Sequence, residues 1–219
     1  MTERSPEKVR PDIPSETLAA RTPAASRARR DWPYRVHLAP EREKSVLRRH
    51  PWIFSGAIGS LEALDSARPG DLGLVLEAGG RRLGVAYVNP EIRLTARMLR
   101  WDDGPVDRDW FAARMAAALA LRARVVPADV TALRLINAEG DGLPGLIVDR
   151  YGEVLVVQCQ ALGMSRLEPL WLTELVAQAA PRSVVARSAH GRGECGSGVR
   201  MTEQSGQRQP VQRVAPRGA

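Results

Sequence analysis

Hydrophobic and polar positions change period several times along this chain, and the changes predict its elements. Tyr34-Arg35-Val36-His37-Leu38 alternates as a half-buried strand does, and Pro40 follows at the entry to a short basic helix within 42–49. That helix runs into Pro51, which pushes its predecessor out of the helical region, so the chain leaves as an extended segment. Trp52, Ile53, Phe54 and Ile58 there have the aromatic and β-branched character of a buried strand. After a turn-rich stretch from Leu61 to Gly70, the strand Leu72–Leu76 leads through a Gly79-Gly80 hairpin into Arg82–Val88. Ile92 to Trp101 supplies the last strand of this group, with Ile92, Leu94, Ala96 and Met98 on one face and Arg93, Thr95 and Arg97 on a solvated one.

A second group begins after Asp103-Gly104-Pro105. Asp107 caps a helix of about 108–124, whose stripe is Phe111, Met115 and Leu119 and whose other face carries Arg114 and Arg122. Residues 133–160 read as strand, Gly-rich acidic loop, strand, tight turn, strand. A helix of about 165–179 follows, with Ser165 and Glu168 at capping-box spacing and Leu167, Trp171 and Leu175 as its stripe. Ser183–Arg187 is a closing strand. The fold class is therefore α+β: a mostly-β barrel with one helix over 34–101, and a small α+β domain over 104–188. Residues 1–33 and 189–219 lack apolar periodicity and read as a disordered arm and a low-complexity tail.

Composition adds a partner class. With 32 Lys+Arg against 25 Asp+Glu, the net charge of +7 favours a polyanion, and nearly all the cations are Arg. Four of them, Arg42, Lys44, Arg48 and Arg49, cluster where the basic helix meets Trp52, so one turn carries both charge and core. Lys44, Arg48 and Arg49 are the expected phosphate contacts, to RNA, DNA or an acidic membrane face alike, with His50 and Trp52 either shaping the turn or stacking on a base. The position of Trp52 beside Ile53 and Phe54 favours packing.

Other candidates carry less. Glu139, Asp141 and Asp149 have the chemistry for acid–base work or cation binding, but Gly and Pro around them are what a sharp strand connection requires. Cys159 alternates within a strand as a small core residue, and Cys159 with Cys195 gives neither a disulfide framework nor metal spacing, which suits a reducing cytoplasm. Gly191-x-Gly193-x-x-Gly196 matches a dinucleotide fingerprint without the helix and acidic strand that would give it meaning, and His190 lacks partners as a ligand. The longest apolar run, Met115–Leu121, is too short to span a membrane.

Two long motifs add a resemblance. Leu38-Ala39-Pro40 with Glu43-Lys44, then Arg49-His50-Pro51-Trp52-Ile53-Phe54-Ser55-Gly56-Ala57-Ile58, then Arg134 through Tyr151, occur in an order and at a separation similar to those of the class I S-adenosylmethionine-dependent methyltransferases that modify cytosine C5 in large-subunit ribosomal RNA. The resemblance covers about 34–188. It implies that 34–101 is an RNA-binding PUA domain, that 104–188 is a central connecting domain, and that ribosomal RNA is the partner. In that family a Rossmann-like domain follows, holding S-adenosylmethionine and a cysteine nucleophile. Past Ser188 this chain departs into its Gln-, Arg- and Gly-rich tail, so the expectation is a truncated or frame-shifted product that binds no cofactor and has no catalytic residue of its own. A self-sufficient RNA-binding or ribosome-associated module is the alternative.

Overall fold

Alternation in Tyr34–Leu38 yields strand β1 with Tyr34, Val36 and Leu38 buried. It is the second-last strand of a six-stranded sheet in a computed structural model that describes residues 32–188 and 200–203. Helix α1 (Lys44–Leu47) and strand β2 (Trp52–Ile53) come next, then a 3-10 turn at Ser55–Ala57 and strand β3 (Ile58–Ala63). Strands β4 (Leu72–Leu76), β5 (Arg82–Val88) and β6 (Ala96–Arg100) complete the sheet in the order β2-β6-β5-β4-β1-β3. Gly80, at φ 84, takes the left-handed position the hairpin between β4 and β5 requires. The sheet closes around Val36, Leu38, Val46, Ile53, Val75, Ala86, Val88 and Met98.

Three expectations fail in this half. Residues 61–63 are not turn: β3 pairs antiparallel with β1, from Ile58 opposite Leu38 to Ala63 opposite Tyr34. The last strand is also shorter than 92–101. Ile92–Thr95 is a turn closed by Thr95 Oγ1 donating to Ile92 O at 2.9 Å, Ile92 is exposed, and Thr95 is buried with the core residues instead of facing solvent. Trp32 and Pro33, read as part of the arm, belong to the fold, since Trp32 packs on the larger core cluster and Leu64 N donates to Pro33 O at 3.0 Å.

In the second half, Asp107 caps helix α2 (Arg108–Val125), its carboxylate accepting from Trp110 N at 3.0 Å. Strands β7 (Ala132–Asn137), β8 (Leu146–Tyr151) and β9 (Val154–Cys159) form an antiparallel meander. Strand β10 (Ser183–Ser188) returns parallel to β9 through helices α3 (Leu162–Arg166) and α4 (Glu168–Ala179). The single helix expected from Ser165 is thus two. Ser165 lies inside α3 and caps nothing, while Pro169 occupies the first turn of α4, where its missing N–H is tolerated. Strand β11 (Arg200–Glu203) pairs antiparallel with β10, so part of the stretch expected to be disordered is ordered backbone. His190, Cys195 and the Gly191–Gly196 pattern lie outside the described residues, as does the arm over 1–31.

What joins the halves is β5. Its run Leu83-Gly84-Val85-Ala86-Tyr87-Val88 lacks polar alternation because both faces are packed: Ala86 and Val88 point into the first core, Val85 and Tyr87 into the second. The second core also holds Leu99 of β6, Phe111, Met115, Trp171 and Leu175. Tyr87 is only 3% exposed, its hydroxyl donating to Pro144 O at 3.2 Å and accepting from Arg97 Nη1 at 3.3 Å. Burial pushes the Tyr87 phenol well above the ordinary tyrosine range, against the opposing pull of Arg97. With the folded pKa raised, the stability this group contributes is complete below the unfolded value near 10 and is lost as pH rises beyond it. Urea midpoints measured from about pH 9 to about pH 11 should therefore fall more steeply for the native chain than for Tyr87→Phe. Parallel decline of the two would refute this.

Candidate nucleic-acid interface

The expected RNA-binding residues sit on the connection between α1 and β2. Helix α1 is a single turn, ended by Arg48 N donating to Lys44 O at 3.1 Å and Arg49 N to Val46 O at 2.9 Å. Arg49 then takes φ 66, a left-handed conformation rare for a residue other than glycine, which turns the backbone sharply toward β2. Trp101 stiffens the turn from beneath, its indole N–H donating to Val46 O at 2.8 Å while the Arg49 guanidinium lies 5.4 Å over its ring.

Beyond Pro51, Met98 N donates to Pro51 O at 2.7 Å, and Trp52 and Ile53 pair with Arg97 and Ala96 of β6. Strand geometry sends neighbours to opposite faces. Ile53 goes inward, 1% exposed, so Trp52 and Phe54 go outward, 39% and 48% exposed. The expectation that all three are core is corrected here: adjacency in sequence means opposite faces in a strand. Trp52 stands edge-on to His50 at 5.7 Å and to Phe54 at 6.3 Å between centroids, and Trp52 N donates to His50 Nδ1 at 3.2 Å. Lys44, Arg48, Arg49 and His50 are all exposed, with Lys44 3.9 Å from Glu41. Of the five predicted residues, His50 and Trp52 touch each other and Phe54 adjoins Trp52, Arg49 lies over Trp101, and Lys44 and Arg48 are exposed on the turn before them.

Sequence reasoning missed what supports this face. Glu139 Oε1 accepts from Trp52 Nε1 at 2.8 Å, reaching across from the 3-10 turn Ala138–Asp141 that follows β7. Arg97 is not on a solvated face. Its side chain is 17% exposed, with Nε 3.7 Å from Glu139 Oε1. Arg122 is likewise not on an open helix face but forms a two-pronged pair with Asp141, at 2.5 and 2.7 Å. Asp149 is paired with Arg134 at 2.8 and 3.2 Å. Each carboxylate of the acidic loop and its following strand therefore answers a different group, a structural commitment rather than a shared acid–base or cation site. Among the described residues no group of three His, Cys, Asp or Glu is placed to hold a metal ion. Nor is any helix there long and apolar enough to cross a membrane.

Residues 36–101 match the family model of the PUA-like domain. The chain is homologous to a ribosomal RNA large subunit methyltransferase I from Erwinia tasmaniensis, 41% identical over 143 residues, 64% of this chain and 36% of that protein. It is also similar to the same-named protein of Shewanella frigidimarina, 37% identical over 156 residues, 70% and 39% of the two chains. The chain thus spans little more than a third of the length of these curated relatives. In fold it is similar to a putative SAM-dependent methyltransferase from Streptococcus mutans, with a TM-score of 0.64 at 15% identity, over 80% of this chain and 44% of that one.

Proposed function

We propose that this chain carries the RNA-recognition part of an S-adenosylmethionine-dependent large-subunit ribosomal RNA methyltransferase directed at cytosine C5, working in the cytoplasm. The α1–β2 turn grips an unpaired stretch of that RNA. The observation that carries this reading is an aromatic pair, Trp52 and Phe54, held out of the core a few residues along the chain from the exposed Lys44, Arg48 and Arg49. Packing gains nothing from leaving such large rings in water, whereas stacked bases gain roughly 1–3 kcal/mol each from an aromatic platform. The cations would meet phosphates, which fix register, and His50, Trp52 and Phe54 would meet base faces. C5 chemistry suits such a partner, because the base must leave its stack before any reagent reaches that carbon.

Recognition, not methyl transfer, is the part assigned to the described residues. The one strand–helix–strand unit with a parallel return is β9, α3, α4 and β10, and the start of α3 is closed. A side chain at Gly163 would stand 2.5 Å from Tyr87 Cβ and nearer still to its ring carbons. Tyr87 fills the space at that helix start.

The test is a titration of the full chain with a fluorescent single-stranded oligoribonucleotide of large-subunit rRNA sequence, at two salt concentrations. Trp52→Ala should weaken binding about tenfold or more at unchanged salt slope. Arg48→Ala and Arg49→Ala should each lower the slope by about 0.7. Native affinity in Trp52→Ala, or equal affinity for duplex RNA, would defeat the reading.

A further inference from the structure

A carboxylate beside a polyanion-binding face is, on charge alone, misplaced. Glu139 is such a carboxylate: its side chain is 27% exposed and its Oε1 takes the indole N–H of the exposed Trp52 at 2.8 Å. We propose that Glu139 is a positioning residue for base stacking, which holds the Trp52 ring in its outward orientation before RNA arrives; this rests on the reading of Trp52 as a stacking platform.

The geometry around both partners supports it. Trp52 sits on a two-residue edge strand and touches its ring neighbours His50 and Phe54 only edge-on, at interplanar angles of 85°. Those contacts leave the indole little lateral confinement, and ordering a free side chain on binding costs roughly 0.5–1.5 kcal/mol. Glu139, by contrast, is presented by a fixed turn. Ala138 is held at φ 46, Asn137 N donates to Asp141 Oδ2 at 2.6 Å, and Leu143 N donates to Ala138 O at 3.0 Å. The Arg97 guanidinium, itself bonded to the buried Tyr87 hydroxyl, flanks the same oxygen of Glu139. The indole is thereby tied to the junction of the two cores, 87 residues away in sequence.

Glutamine separates the two possible roles. Glu139→Gln removes the charge that pairs with Arg97 but keeps an oxygen able to accept the indole N–H; Glu139→Ala removes both. With the oligoribonucleotide above and the full chain, Glu139→Ala should weaken binding about fivefold, although it deletes a negative charge, while Glu139→Gln should bind as tightly as the native chain or more tightly. In a Trp52→Phe background, which has no N–H to hold, Glu139→Ala and Glu139→Gln should bind alike. The Trp52 indole N–H resonance, assigned by its loss in Trp52→Phe, should shift in Glu139→Ala and stay near its native position in Glu139→Gln. If Glu139→Ala binds as well as the native chain while Trp52→Ala is impaired, the positioning role is wrong and the stacking role stands. If Trp52→Ala binds normally, the stacking role falls and the positioning role with it. Should Glu139→Ala fail to fold, as judged by thermal unfolding, Trp52→Phe decides: it keeps a ring for stacking but has no N–H for Glu139 to hold, so an RNA affinity equal to the native chain's would overturn the proposal.

Discussion

Gly163→Ala is expected to destabilise the chain by about 3 kcal/mol in urea titrations, against the ordinary helix scale. Within a helix, alanine normally exceeds glycine by roughly 1 kcal/mol, because glycine loses more backbone freedom on folding. Gly163 lies in the first turn of α3 and is buried, so propensity alone predicts a gain. Packing reverses the sign. A methyl group there meets the Tyr87 ring and, at 2.5 Å, the Tyr87 Cβ, so turning the ring away cannot relieve the clash. Tyr87 cannot retreat easily either, since its hydroxyl bridges Arg97 and Pro144 and its backbone lies between β4 and β6. A midpoint equal to or above the native one would mean that β5 and α3 are less closely apposed than described.

The contrast between that glycine and the elements around it marks where sequence reasoning stops. Strands β1, β4, β5, β8, β9 and β10 announce themselves through local pattern and turn residues, and α2 through its Asp107 cap. Strand β3 does not. Gly59, Ser60, Glu62 and Ala63 are exposed and give it no apolar stripe, so its existence depends on β1, a partner more than twenty residues upstream at its far end. Ser165 and Glu168 have the spacing of a capping box, yet the chain bends at Leu167 because Trp171 buries itself with its N–H on Met164 O at 2.8 Å. Local capping of a fraction of a helix is worth about 1 kcal/mol, less than burying that indole.

The candidate site divides in the same way. Its cations and Trp52 are adjacent in sequence, and a stricter use of strand alternation would have turned Trp52 and Phe54 outward from the outset. Glu139 and Arg97 cannot be found like that. An arginine in a strand reads as solvated until the carboxylate that answers it is known, and here that carboxylate comes from the other sheet's first loop. Nothing in the composition distinguishes Arg97 and Arg122, which are half-buried and paired, from Arg48 and Arg49, which face water.

Asp141→Ala should cost roughly 3–5 kcal/mol, the largest loss expected from any single polar substitution in the acidic loop. The Asp141 side chain is 6% exposed and that of Arg122 is 14%. Removing the carboxylate leaves a buried guanidinium without its counter-charge and takes the acceptor from Asn137 N. Arg122 would keep only its bonds to the carbonyls of Arg134 and Ala118, at 3.1 and 3.4 Å. Charge removal on both sides tests whether an unpaired ion is the cause: Arg122→Met with Asp141→Leu should lose less than Asp141→Ala alone, because no uncompensated charge stays buried and only the Asn137 N–H is orphaned. A double variant no more stable than Asp141→Ala would instead place the cost in the loop's backbone. Since Glu139 lies two residues away on the same 3-10 turn, such an outcome would also make Asp141 the support on which the Trp52 contact stands.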